Sequence, residues 1–118
     1  DHLGLLYSEQ DESQWRDGMQ ALAGVPHVQV KLSMLWFGCE GFHDDAQKEA
    51  VVKDRVLETI DRFGCDRCMF ASNYPVERVQ GISLHRLYEM FDAWTTHLSE
   101  SDRASLFHDT AARVYRLA

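Results

Sequence analysis

No stretch of this sequence stays apolar for the roughly 20 residues that a bilayer crossing needs, and its first residues, "DHLGLLYSEQDE", lack the charged start and apolar core of a signal peptide. A soluble, cytoplasmic chain is expected, with no membrane partner. Basic clusters are also missing. Twelve Lys and Arg face 19 Asp and Glu, a net charge of -7 that repels phosphate backbones, so nucleic acid is excluded as the expected partner. Low-complexity tracts and internal repeats are absent, and with 45% hydrophobic and 26% charged residues the composition is that of a globular chain. At 118 residues the expectation is one domain, 1–118, with one modest core.

What is present reads as alternating helices and strands. Trp15, Met19, Leu22 and Ala23 share one face of a helix expected over 13–23, stopped by Gly24. In "VPHVQVKLS", Val28, Val30 and Leu32 alternate with Gln29, Lys31 and Ser33, which predicts a strand. The connection "MLWFGCEGFHDD" is unusually apolar, and apolar loops often line pockets. Val52, Val56, Ile60 and Phe63 then step along one face of a helix over 45–63, with Glu58 and Arg62 spaced for an i,i+4 pair and Gly64 at its end. The run from Cys68 to Ala71 is apolar without alternation, as in a strand buried on both faces. Strand, helix and strand in this order predict a βαβ unit with parallel strands. A helix over 83–98, a capped start at Ser99 with Asp102 and a last helix over 110–117 complete the pattern.

Two chemistries compete within "FGCDRCMFASNYPVE". Cys65 and Cys68 form a Cys-x-x-Cys pair, but a structural zinc takes four ligands and neither a second such pair nor a His pair at ligand spacing exists; the six histidines are scattered. A redox dithiol sits just before a helix N-terminus, whereas this pair follows a helix and enters a strand. Three cysteines are an odd number and fit a reducing compartment, so the pair reads as one loop thiol and one packing residue. The other candidate is the turn Ser72-Asn73-Tyr74. In parallel α/β sheets, chemistry collects at the C-terminal ends of strands, and this turn directly follows the second one. Pro75 biases Tyr74 toward extended backbone.

Four ordered segments, "DHLG" (1–4), "VQVKLS" (28–33), "FGCDRCMFASNYPV" (63–76) and "LFHDTAARVYRL" (106–117), resemble the last part of the amidohydrolase-related enzymes. This is the amidohydrolase 2 family of the metal-dependent hydrolase superfamily, (β/α)8-barrel hydrolases that include sugar lactonases and pyrone-dicarboxylate lactonase. The resemblance spans essentially the whole chain. It implies an α/β fold, a partial (β/α)8 barrel holding only C-terminal strands and helices, with His2 at the end of barrel strand six, 28–33 as strand seven and 67–72 as strand eight. It also implies that Asp66 and Arg67, rather than the thiols between which they lie, are the family's residues in that loop.

The family usually places an Asp where this chain has Asn73, and that Asp serves as the base activating water and contacts the metal in metal-using members. An amide can orient a substrate or a water but cannot accept the proton. The resemblance therefore leaves His2 as the expected base beside Asn73, with His43 second, and Trp36, Phe37 and Tyr74 as expected substrate contacts. No metal ligand is assigned: a divalent ion such as Zn²⁺ is expected only in a complete barrel, and no stoichiometric zinc is expected on this chain.

The implied activity is hydrolysis of a lactone, ester or amide in a small carboxylated or cyclic substrate. The alternatives are a non-catalytic barrel fragment acting as a binding or oligomerisation module, and a small assembly protein using its strand edge. A full barrel takes ~250 residues, and the chain opens on Asp1 rather than Met, which leads to the expectation of a truncated piece or a short gene product. Val28, Val30, Leu32, Met69 and Phe70 would then lie uncovered and pair with another copy, giving a homo-oligomer.

Overall fold

The computed structural model describes residues 12–116, apart from 34, 36–38, 40, 76–77 and 79–80. Helix α1 (Glu12–Ala23) leads into strand β1 (Val30–Leu32). A loop ending in a 3-10 turn (Phe42–Asp44) then delivers the chain to helix α2 (Ala46–Phe63). A second 3-10 turn (Cys65–Arg67) precedes strand β2 (Cys68–Phe70). Helices α3 (Leu84–Trp94), α4 (Glu100–Ala104) and α5 (Thr110–Val114) follow. Helix α4 runs into α5 through a π-helical segment, Ser105–Asp109.

The helix boundaries follow local chemistry. Asp45 caps α2 by accepting the backbone N–H of Gln47 at 3.0 Å and of Lys48 at 3.2 Å, and Ser83 and Ser99 cap α3 and α4 in the same way at 3.0 and 3.1 Å. Each cap satisfies a donor that the first helical turn leaves without a partner. At the other end of α2, Gly64 takes φ +85°, and a Cβ there would stand 2.9 Å from the Asp66 carboxylate. The angle is what favours glycine; the carboxylate, at the end of a flexible side chain, could move aside. Helix α3 ends at Trp94, short of the predicted Leu98: the backbone leaves helical geometry at the buried Thr95, φ −113° and ψ 11°, whose hydroxyl bonds back to the Phe91 carbonyl at 2.9 Å.

The two strands pair in parallel, with Val30 opposite Cys68, Lys31 opposite Met69 and Leu32 opposite Phe70. Val30, Leu32, Cys68 and Phe70 turn toward the helices and join one core with Met19, Val52, Val56, Leu87 and Phe91. Alternation places Lys31 and Met69 on the opposite face. The ladder is shorter than the sequence pattern 28–33 because β2 offers only three residues to pair with it.

Burial corrects one expectation. Val30, Leu32, Met69 and Phe70 are buried within the chain and Val28 is half-buried, so these side chains do not form the uncovered apolar face that the pattern predicted. What each strand leaves open among the described residues is a backbone edge, since the sheet there has two strands. In the apolar loop after β1, the described residues Leu35, Cys39 and Phe42 join the core. No helix among the described residues is long and apolar enough to cross a membrane.

Candidate active site

Parallel pairing brings the C-terminal ends of β1 and β2 side by side. The Ala71 amide donates to the Leu32 carbonyl at 3.3 Å, so the residues leaving the two strands, Ser33 and Ser72, start from adjacent points. Ser33 is buried, while Ser72, Asn73 and Tyr74 are half-buried. The chain turns sharply at Asn73, whose φ of +57° lies in the left-handed region, and the Tyr74–Pro75 peptide is cis. Asparagine is one of the few residue types with a side chain that visits this region readily.

Two hydrogen bonds of Tyr74 fasten the turn. The Tyr74 amide donates to the Ser72 hydroxyl at 3.1 Å, closing a small side-chain turn around Asn73. The Tyr74 hydroxyl donates to the carbonyl of Ile82 at 2.5 Å. Ile82 is buried in the core one residue before the cap of α3, so the turn is fastened to the body of the protein.

Of the residues singled out in the sequence, Asn73 and Tyr74 are neighbours in this turn. His2, Trp36 and Phe37 lie outside the described residues. His43, the second choice for a base, lies in the 3-10 turn ahead of α2, with Nε2 3.2 Å from the Asp44 carboxylate and its ring edge-on to Phe42. Its Nδ1 is buried with no hydrogen-bond partner. The sequence missed Ser33 as a buried polar neighbour of the turn, and missed the Tyr74–Ile82 bond. The first was hidden in an alternating pattern that counts serine as outward, and nothing in the second pair of side chains signals a contact with a backbone carbonyl.

The thiols take the structural role. All three cysteines are free. Cys68 is fully buried on β2, its sulfhydryl 4.0 Å from the Thr59 carbonyl, and desolvation, with a smaller push from Cys65, raises its pKa to about 12. Burial also pushes Cys65 up, with Asp102 and Asp66 adding to the rise. Thiols held this firmly in the protonated form are poor nucleophiles and poor metal ligands. Among the described residues no group of three or more His, Cys, Asp and Glu could hold an ion. At the strand ends the described side chains are two hydroxyls, an amide and a phenol, a set that does not fit a divalent metal. Asp66 and Arg67 frame the loop instead. The Arg67 guanidinium donates to the carbonyls of Val25 at 2.7 Å, Ala23 at 3.0 Å and Val28 at 3.1 Å, and lies 4.9 Å from the centre of the Phe63 ring.

The chain is similar to known proteins in sequence and fold. A sequence profile described as amidohydrolase matches residues 1–117. An uncharacterized protein of Sinorhizobium fredii, y4mH, is 38% identical over 103 residues, covering 87% of this chain and 33% of that protein. The L-fucono-1,5-lactonase of Burkholderia multivorans is 30% identical over 125 residues, covering 99% of this chain and 42% of the lactonase. A crystal structure of a Burkholderia multivorans amidohydrolase with bound HEPES superposes with a TM-score of 0.84 at 29% identity, over 94% of this chain and 39% of that one. A second crystal structure of an amidohydrolase from that organism, with bound Zn, gives 0.82 at 30% identity over 93% and 40%. The chain thus spans between a third and about two fifths of the length of the proteins it matches. With a parallel strand pair that superposes on part of these enzymes and a profile match over nearly every residue, the chain belongs to the amidohydrolase family and is a portion of its (β/α)8 barrel.

Proposed function

We propose that the full-length protein hydrolyses a lactone, or a comparable ester or amide in a small cyclic or carboxylated substrate, at the C-terminal ends of its barrel strands. The observation that carries this reading is the fastened turn after β2, which presents Asn73 in a left-handed conformation at the strand end of an amidohydrolase-family chain. The similarity to an L-fucono-1,5-lactonase supports a sugar lactone as substrate. Asn73 orients the substrate carbonyl or the attacking water through its amide, His2 accepts the proton of that water, and Trp36, Phe37 and Tyr74 flank the ring. Water adds to the lactone carbonyl, the ring C–O bond breaks, and a hydroxy acid leaves. Residues 1–118 act as one domain of this barrel, and three free thiols suit a cytoplasmic setting.

The test is proton release by the full-length protein on a panel of sugar lactones, simple esters and amides. Turnover of lactones is expected; no turnover on any member overturns the reading. Asn73→Asp restores a carboxylate where the family's base stands and is expected to raise the rate, because a carboxylate accepts a proton near neutral pH and an amide does not. An unchanged rate would sink the idea that this position once held the base. A second reading, favoured by the amide at that position, is that this portion alone is a non-catalytic module that assembles through its strand edges.

A further inference from the structure

We propose that Tyr74 is a positioning residue: its hydroxyl bond to the Ile82 carbonyl fixes the backbone from which the Asn73 amide projects, and it acts on the reaction through Asn73. The inference rests on the role given above to Asn73.

The left-handed conformation costs most residues with a side chain about 1–2 kcal/mol, and asparagine less, so Asn73 can adopt it but also has right-handed and extended alternatives. Bonds to its neighbours select the left-handed one among these. Two ties converge on the residue that follows. The Tyr74 amide reaches back to Ser72 at 3.1 Å, a local bond within the turn. The Tyr74 hydroxyl reaches forward eight residues to Ile82 at 2.5 Å. The second connects the turn to something rigid, since Ile82 is 1% exposed and the next residue, Ser83, caps α3 at 3.0 Å. A phenol has one proton, and this one is spent on a backbone carbonyl. Donation from the hydroxyl to a substrate would break the tie, so the contribution of that hydroxyl runs through geometry.

Tyr74→Phe removes the oxygen and keeps the ring. In the full-length protein, assayed on the lactone it turns over best, kcat is expected to fall about tenfold or more while KM stays within about twofold, because misplacing a reacting group by an ångström costs up to 10²-fold. The ring stays in place to flank the substrate, so a raised KM at unchanged kcat would mean that the Tyr74 hydroxyl binds substrate directly, and would overturn the proposal. A lowered melting temperature with both constants unchanged would leave it a purely structural residue, with the same consequence. A readout free of turnover separates this proposal from the lactonase reading: the ¹³Cα and ¹³Cβ shifts of Asn73 should carry the left-handed signature in the wild type and lose it in Tyr74→Phe. Identical shifts in the two proteins refute positioning even where no lactone is hydrolysed. Ser72→Ala removes the other tie without touching the ring; it should shift the same Asn73 signals less than Tyr74→Phe does, and an equal or larger effect would move the anchoring role to Ser72.

Discussion

Cys68 sits on β2 with no exposed surface, so deprotonating it would leave a charge among Thr59, Val56 and the other core residues that surround the strand. The unfolded chain releases that proton near 9.0, whereas the folded chain holds it to about 12. The native state therefore binds the proton that the unfolded state gives up. Stability is full below pH 9 and declines as the pH rises toward 12, with a slope of at most about 1.4 kcal/mol per pH unit from this one group. Cys39 and Cys65 shift in the same direction, so a single variant isolates the Cys68 share. Urea unfolding of the wild type and of Cys68→Ala, repeated at steps between about pH 8 and pH 11, should give a shallower decline for the variant. Parallel declines would show that Cys68 contributes nothing to the pH dependence. Residues of this kind are legible in the sequence: the order helix, Cys65, Cys68, strand puts the second thiol into a buried strand. The Tyr74–Ile82 bond was not, because a side-chain hydroxyl and a carbonyl eight residues apart meet only through the path of the loop between them. The same limit applied to Ser33, whose burial is set by the neighbouring strand end rather than by its own polarity.

At the scale of elements, the helix starts were the most readable feature: the capped start at Ser99 and the starts at 45 and 83 depend on contacts only two or three positions long. The passage from α4 to α5 was not readable. The sequence suggested a short helix and then a separate last one, but the backbone stays helical through 105–109 by widening to a π-turn. That turn buries Leu106 completely and sets Phe107 against Phe70, ring centres 4.9 Å apart, while Phe70 stacks on Phe91 at 4.2 Å. Tertiary packing, which no local period encodes, chooses the wider turn. Arg67 is the other element-scale device. Its three bonds to Ala23, Val25 and Val28 fasten the connection between α1 and β1 to the start of β2, giving those loop carbonyls a charged donor. A lysine keeps the charge but lacks the planar fork that reaches three acceptors at once. Arg67→Lys is expected to lower the unfolding free energy by about 2–4 kcal/mol, measured by urea titration, because hydrogen bonds to charged groups contribute about 1.5–3 kcal/mol each and add incompletely. A loss below about 0.5 kcal/mol would mean that water satisfies those carbonyls equally well.

For the whole molecule, the parallel order of β1 and β2 and the helix between them were inferred from one change of pattern, alternation in the first strand and a solid apolar run in the second. The covering of the sheet was misjudged for a physical reason: counting barrel neighbours assumes that only strands bury strand residues, yet Val30, Leu32, Met69 and Phe70 are all buried within this chain. This changes what can drive assembly. An apolar patch would favour loose, salt-strengthened association, whereas an unpaired backbone edge favours addition of a strand in register, with hydrogen bonds as the specific contact. We therefore expect the 118-residue chain to form a dimer or higher oligomer by edge-to-edge pairing, seen by light scattering at micromolar concentration as a mass at least twice the 13.6 kDa of one chain. Amide hydrogen exchange of Val30–Leu32 and Cys68–Phe70 should slow as concentration rises, since strand addition protects the outer N–H groups while leaving the helices unaffected. A monomer mass with concentration-independent exchange would mean that the edges are already satisfied within one chain, and would remove the basis for assembly through them.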